Sequence, residues 1–331
     1  MDSFQRKEIT TARGFTYSYY VSKGNSAGPT LLLSHGFPDN AHLWEGVAKR
    51  LTQYNLIIPD FLGYSGTSKP TDVAAYTYGG LTADVVDILD AEHVEKVISI
   101  GHDFGSLIAQ RLYVFHPERV QGLVILNVGY VLPPPNPTTL EEVNAKFDQV
   151  LGYPAFAYQE FFVSEDAPAL LRANMDRFYH VIHGKPRDWM KQIWCGRGEM
   201  RKWITDQDRN VELRGYAQDP AFRKRFMDRF ERDGFEAPLC YYKALHSTAE
   251  FNTTKDLDKD RFKVRVPVFY IGCTQDAVCR PEMSTPAKDG GFLPDWEEAT
   301  IDSAHWVPFE KPAEVAELIT SFVGKRFSGS S

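Results

Sequence analysis

Five short β-rich runs, each closing in a loop, dictate most of what this chain can become: TLLLSHGFP from Thr30, LIIPDFLGYSG from Leu56, KVISIGHDFG from Lys96, GLVILNV from Gly122 and VPVFYIGCTQD from Val266. Their apolar residues are continuous rather than alternating, which is how a strand reads when both faces of its sheet are covered. Helical patterns lie between them, LTADVVDILDAEH from Leu81 and SLIAQRLYVFHPE from Ser106. The second is expected to end near His116, because Pro117 disfavours helix at the residue before it. This strand–helix alternation predicts an α/β fold: a mostly parallel, twisted sheet with helices on both faces. FTYSYYV, from Phe15, alternates loosely and then meets the turn-rich SKGNSAGP, the pattern of an N-terminal antiparallel strand pair.

The alternation stops after NVGYVLPPPNPTT, whose proline cluster reads as a linker. From Pro135 to about Asp260 the sequence is helix-like and rich in Phe, Tyr, Trp, Arg and Asp. In DPAFRKRFMDRFERDGF, Phe222, Phe226 and Phe230 recur every fourth residue, one apolar stripe on an otherwise charged helix. Its basic residues are interleaved with acids and read as a solvated face. Strand-like sequence resumes at FKVRVPVFYIG. The economical organisation is a core formed by residues 1–134 and 261–331, interrupted by a helical cap over residues 135–260.

A chain of 331 residues can bury a large core, and a formal charge of −7 argues against nucleic acid as a partner. The sequence carries no internal repeat. Cys195, Cys240, Cys273 and Cys279 form no CxxC pair and no zinc-like cluster with histidine, so they are expected to be reduced packing thiols. MDSFQRKEITTARG lacks the apolar run of a signal peptide, and no stretch approaches the ~20 apolar residues of a membrane span. These features predict a soluble, cytoplasmic protein that needs neither metal nor cofactor, with a disordered SGSS tail. Monomer and homodimer are both left open.

Ligands of open α/β sheets bind at the carboxyl ends of the strands. Asp103, His35 with Gly36, and Asp276 sit at such ends, and His305 lies before the last helix. Gly101-His102-Asp103-Phe104-Gly105 is the strand-to-helix turn of a nucleophile elbow, with aspartate where serine is usual. The two glycines let the chain turn sharply without a Cβ clash. Asp103 would then stand exposed, with the backbone N–H groups of Phe104 and Phe37 as donors for charge developing on oxygen. His305 would be a base oriented by Asp276. His35 and His102 are read as structural, the motif needing their backbone geometry more than their rings. PDFLGYSGTSKP is read as a scaffold loop in which Asp60 and Ser68 bond local backbone while Gly63 and Gly66 permit the turns.

These residues resemble those of the soluble epoxide hydrolases of the α/β-hydrolase superfamily. HGFP from His35, GHDFG around Asp103, the DxxGxGxS-like run from Asp60, Asp276 in DAV and His305 in AHW carry the resemblance over nearly the whole core and, more loosely, the cap. It implies a cis peptide at Phe37–Pro38. It also implies two cap tyrosines that activate the epoxide oxygen. AYQEFFVSEDA matches the first site through Tyr158 and Phe162, and LCYYKALHS the second through Tyr242 before Lys243, with Tyr241 and Tyr153 as runners-up among 16 tyrosines. Phe37, Phe104, Tyr158, Tyr242 and Trp306 are the residues expected to line an apolar substrate pocket at the core–cap junction.

An aspartate on the elbow narrows the chemistry. With a reference pKa near 4, it is ionised at neutral pH and needs no base to attack. It suits a saturated carbon bearing a leaving group, where attack leaves an alkyl ester that water, activated by His305, can hydrolyse. An epoxide oxygen leaves as an alkoxide and needs a proton, which tyrosines can donate. Haloalkane dehalogenases resemble this core too, but often carry Asn after HG and Trp after the nucleophile, where this chain has Phe37 and Phe104. Fluoroacetate dehalogenases place Arg after the nucleophile. Many epoxide hydrolases have Trp at the position of Phe104, a departure that touches pocket shape and leaves the backbone donor unchanged. The expected substrates are a small apolar epoxide and water. A dehalogenase, or a non-catalytic ligand-binding member of the fold, is the alternative.

Overall fold

A computed structural model of the chain describes residue 1, residues 3–24 and residues 28–327. The SGSS tail lies outside the described residues, as does the centre of SKGNSAGP. The five apolar runs supply five strands, β3 Thr30–Ser34, β4 Asn55–Pro59, β5 Val97–His102, β6 Val120–Leu126 and β7 Val268–Cys273. Every residue of β5 and β7 is buried, which is why both read as uninterrupted apolar sequence. FTYSYYV forms β2 (Thr16–Ser22), whose hairpin partner is β1 (Gln5–Thr10). With β8 (Trp296–Ile301) they complete an eight-stranded sheet in the order β1-β2-β4-β3-β5-β6-β7-β8. β1, β2 and β4 pair antiparallel, and from β4 to β8 every pairing is parallel.

The strand expected in FKVRVPVFYIG is shorter than that stretch, beginning at Val268. Pro267 precedes it without an N–H to donate, and Lys259–Phe262 form a turn of 3-10 helix instead. The helix Phe104–Phe115 is capped at His116, with Pro117 next, as the proline rule predicts. Between β6 and β7 run nine short helices among the described residues, from Leu140–Leu151 to Thr248–Thr254. In the one spanning Pro220–Asp233, Phe226 and Phe230 are buried, and Phe230 stacks on Phe235 at 4.2 Å between ring centroids. No described helix is long and apolar enough to cross a membrane.

The scaffold loop after β4 is held differently from the expectation. Asp60 Oδ1 accepts from the Ala41 N–H at 2.8 Å, and Ser68 Oγ from the Thr16 N–H at 2.9 Å. Both are tertiary contacts rather than local ones, the first to the turn Ala41–Trp44 after β3 and the second to β2. The elbow itself is set by contact. A Cβ on Gly101 would lie 2.0 Å from the Gly105 carbonyl oxygen, and one on Gly105 would lie 2.0 Å from the Ser34 carbonyl oxygen. Both obstacles are backbone, so neither can rotate away. Gly105→Ala is therefore expected to destabilise the fold by about 3 kcal/mol, the upper end for overpacking. Thermal and urea denaturation measure this, and an unchanged midpoint would contradict the contact.

Candidate active site

β5 ends at His102 and the next helix starts at Phe104, so Asp103 alone makes the turn, at φ 57° and ψ −126°. That left-handed φ is costly for a residue with a Cβ. Ser106 braces it, its hydroxyl donating to the carbonyls of Gly101 (2.7 Å) and Leu126 (2.9 Å). The carboxylate of Asp103 meets the β3 loop, where the Phe37 N–H donates to Oδ1 at 2.9 Å and the Phe104 N–H also bonds the carboxylate. Gly36 makes room, since a Cβ there would sit 2.3 Å from Asp103 Oδ1. The Phe37–Pro38 peptide is cis.

His305 reaches the same carboxylate from the other side. Its Nε2 lies 3.3 Å from Asp103 Oδ2, and its Nδ1 2.6 Å from Asp276 Oδ2. Asp276 follows β7 and is fully buried, yet none of its charge is left bare. Oδ2 also accepts from Asn127 Nδ2 at 2.8 Å, and Oδ1 accepts the N–H groups of Val278 (3.0 Å) and Cys279 (2.9 Å). Burial by itself would raise both aspartates and lower the histidine. The ion pairing and hydrogen bonds reverse each shift, holding Asp103 and Asp276 below the usual carboxylate range and His305 well above the usual imidazole range.

Two expectations for the histidines need correction. His35 and His102 use their rings as well as their backbones. His35 donates from Nδ1 to the Gly36 carbonyl and accepts the Phe61 N–H on Nε2, both at 3.0 Å. His102 donates from Nε2 to the backbone carbonyl of His305 at 2.7 Å, tying the elbow to the histidine loop. Burial pushes their pKa values down to about 3 and about 4, so both stay neutral.

The aromatic residues close over Asp103. Tyr242 packs edge-on against Phe37 (5.1 Å) and Phe104 (4.9 Å), and lies 5.8 Å from the ring of Tyr158. Tyr158 in turn packs on Trp194 and Phe162. The ionisation of both phenols is raised far above its ordinary range, by burial first and by the Asp103 charge among the further causes. They therefore stay protonated at neutral pH. The runners-up are engaged elsewhere, Tyr241 donating to the Leu62 carbonyl at 3.1 Å and Tyr153 to the Ala277 carbonyl at 2.9 Å. Trp306 packs on His305 at 4.8 Å and donates its indole N–H to Asp39 Oδ2 at 2.9 Å. The expected apolar pocket is not what lies at the junction. A cavity of about 820 Å³ follows the seam below the helix Pro220–Asp233, and charged Asp39, Asp60 and Arg229 are among its walls. Around Asp103 the rings are packed together instead.

Residues 29–312 match the sequence profile of the alpha/beta hydrolase fold. The chain belongs to that family. It is similar to bifunctional epoxide hydrolase 2 of Rattus norvegicus, 27% identical over 317 residues, which cover 92% of this chain and 53% of that protein. The chain thus spans about half the length of such mammalian relatives. It is similar over its length to epoxide hydrolase A of Mycobacterium tuberculosis, 27% identical over 322 residues and 92% of each chain. Among solved structures, a mutant of a Vigna radiata epoxide hydrolase superposes with a TM-score of 0.80 at 25% identity, over 98% of this chain and 100% of that one.

In this α/β hydrolase, several residues at the site escaped the sequence reading. Asn127 ends β6 at φ 63°, a polar residue at a strand's carboxyl end, and so carried the same signal as Asp103. Ser106 and Asp39 carried none. Cys279 is more than packing. Its thiol lies against His305, and Asp276, Cys279 and His305 are the one described group whose atoms could surround a metal ion. Two of these residues belong to the triad, Asp276 bonded to His305, and the Cys279 thiol is hydrogen-bonded to the same imidazole. Since Asp103 and Asp276 together raise His305, Asp103→Asn should lower its pKa while leaving the Asp276 contact in place. An NMR titration of the imidazole checks this; an unmoved pKa would mean that Asp276 alone holds the proton.

Proposed function

We propose that this chain is an epoxide hydrolase converting an oxirane and water to a vicinal diol through an alkyl ester on Asp103. The observation that carries the reading is one ionised carboxylate on the elbow, 3.3 Å from His305 and roofed by two protonated phenols. The relatives named as epoxide hydrolases support it. Residues 1–134 and 261–331 act as the core that supplies carboxylate and triad, and residues 135–260 as the cap that supplies Tyr158 and Tyr242.

In this reading each atom has a task. Asp103 Oδ1 is held by backbone donors, so Oδ2 attacks the oxirane carbon. The C–O bond breaks, and Tyr158 and Tyr242 protonate and hold the departing oxygen. Alkylation neutralises Asp103 and removes one of the two charges that keep His305 protonated. The proton the ring sheds restores the phenol, and the neutral ring becomes a base. Water activated by His305 then attacks the ester carbon, and the Phe37 and Phe104 N–H groups stabilise the oxyanion on Oδ1. Collapse breaks the Cγ–Oδ2 bond and releases the diol with the former Oδ2, the departing oxygen taking a proton from His305, which regains one from the new Asp103 carboxylic acid.

A halide would instead need weak donors such as indole N–H groups. Those nearest are committed, Trp306 to Asp39 and Trp194 to the Val181 carbonyl. All four cysteines are free and buried, which supports a reducing, cytoplasmic setting.

In single turnover in heavy-oxygen water, the first diol should carry an unlabelled Asp103 oxygen. His305→Gln should alkylate normally and hydrolyse about 10²–10⁴-fold more slowly, the usual worth of a general base, so that the ester accumulates and is seen by intact mass. Solvent oxygen in the first product would exclude the ester route.

A further inference from the structure

Tyr158 and Tyr242 come from segments far apart in the chain, so something must fix their hydroxyls over one leaving oxygen. Gln159 follows Tyr158 and is 3% exposed. Its Nε2 donates to the Tyr158 hydroxyl oxygen at 3.2 Å, and its Oε1 accepts from His246 Nε2 at 2.7 Å. His246 caps the C-terminus of Cys240–Leu245, the helix that carries Tyr242. Tyr242 and His246 are four residues apart and share a face of that turn. One amide therefore joins the two tyrosine-bearing segments and touches one of the tyrosines directly.

We infer that Gln159 and His246 are positioning residues that tune Tyr158 as the proton donor of the ring-opening step. The inference rests on the epoxide hydrolase reading and adds to it a division of labour between the phenols. An oxygen that accepts the Gln159 N–H has its own O–H turned away from the amide, free for the departing alkoxide. As that proton leaves, negative charge grows on the oxygen facing the amide donor, and a hydrogen bond to a charged acceptor is stronger than one to a neutral acceptor. The bond therefore favours the transition state over the ground state. Burial raises Tyr158 and Asp103 and Cys279 push it further up, while hydrogen bonds from Gln159 and Tyr242 both lower it. His246 is kept neutral by burial, so its Nε2–H holds the amide in the donating orientation.

Single-turnover kinetics on an epoxide, with alkylation and ester hydrolysis measured separately, test this. Gln159→Leu should slow alkylation about tenfold, leave hydrolysis of the preformed ester unchanged, and move the alkaline limb of alkylation to higher pH, because Tyr158 loses a group that stabilises its anion. Gln159→Glu, which can only accept at neutral pH, should be at least as slow. His246→Leu should show a smaller loss of the same kind, and His246→Gln, which keeps a donor, should recover it. Melting temperatures confirm that each variant is folded. Alkylation by Gln159→Leu within twofold of wild type, equal losses in both steps, or full activity in Gln159→Glu would each overturn the inference while the reaction itself stands. A wild-type protein that forms no ester on Asp103 would sink the reading, and the inference with it.

Discussion

The site is organised by one imidazole held between two carboxylates in a nearly dry environment. A buried ion is costly unless paired and hydrogen-bonded on every side. Asp276 meets that requirement through Asn127 and two backbone N–H groups, and Asp103 through the Phe37 and Phe104 N–H groups. His305 lies between them, its backbone carbonyl held by His102. Breaking any of these contacts would leave a largely buried charge unpaired. The geometry is therefore over-determined, and it keeps Asp103 in a left-handed turn that an isolated chain would avoid. The same arrangement makes the imidazole responsive: neutralising one carboxylate removes part of the support for its proton.

The sheet places these groups without further help. β3, β5, β6 and β7 are parallel neighbours, so the loops carrying Phe37, Asp103, Asn127 and Asp276 leave the same edge. The phenols come from the segments inserted between β6 and β7: Tyr242 packs on Phe37 and Phe104 beside Asp103, and Tyr158 packs on Tyr242. The backbone donors proposed to hold the oxyanion thus belong to the residues whose rings seat Tyr242. A change of side chain at Phe104 would alter the roof and spare the N–H. That separation explains how a phenylalanine can occupy the position where many epoxide hydrolases carry tryptophan.

How much was legible follows from what burial leaves in a sequence. β3 to β7 were visible because they are apolar throughout, and the elbow because Gly101 and Gly105 have nowhere to put a Cβ. β8, WEEATI, is an edge strand with only Ile301 buried, and nothing in it separates strand from loop. Asp103, Asp276 and His305 were recoverable from their order and their strand-end positions. Tyr158 and Tyr242 were recoverable only through resemblance, since a buried tyrosine looks the same whether it faces a carboxylate or a carbonyl. The tertiary partners of Asp60, Ser68, His35 and His102 were illegible, because short-range sequence does not say which distant N–H or carbonyl will arrive.

The charged seam bears on where the catalytic atoms can be reached. Arg229 is buried beside Phe226 and Phe230, and its charge acts on Asp39 and Asp60 across the cavity without a direct ion pair. Burial raises those two acids to about 6 and about 7, so the seam holds groups that exchange protons near neutrality. Asp39 is also the residue that anchors Trp306 against His305. The polar face of the junction is thus one side chain away from the triad, while the apolar face is the ring cluster above Asp103.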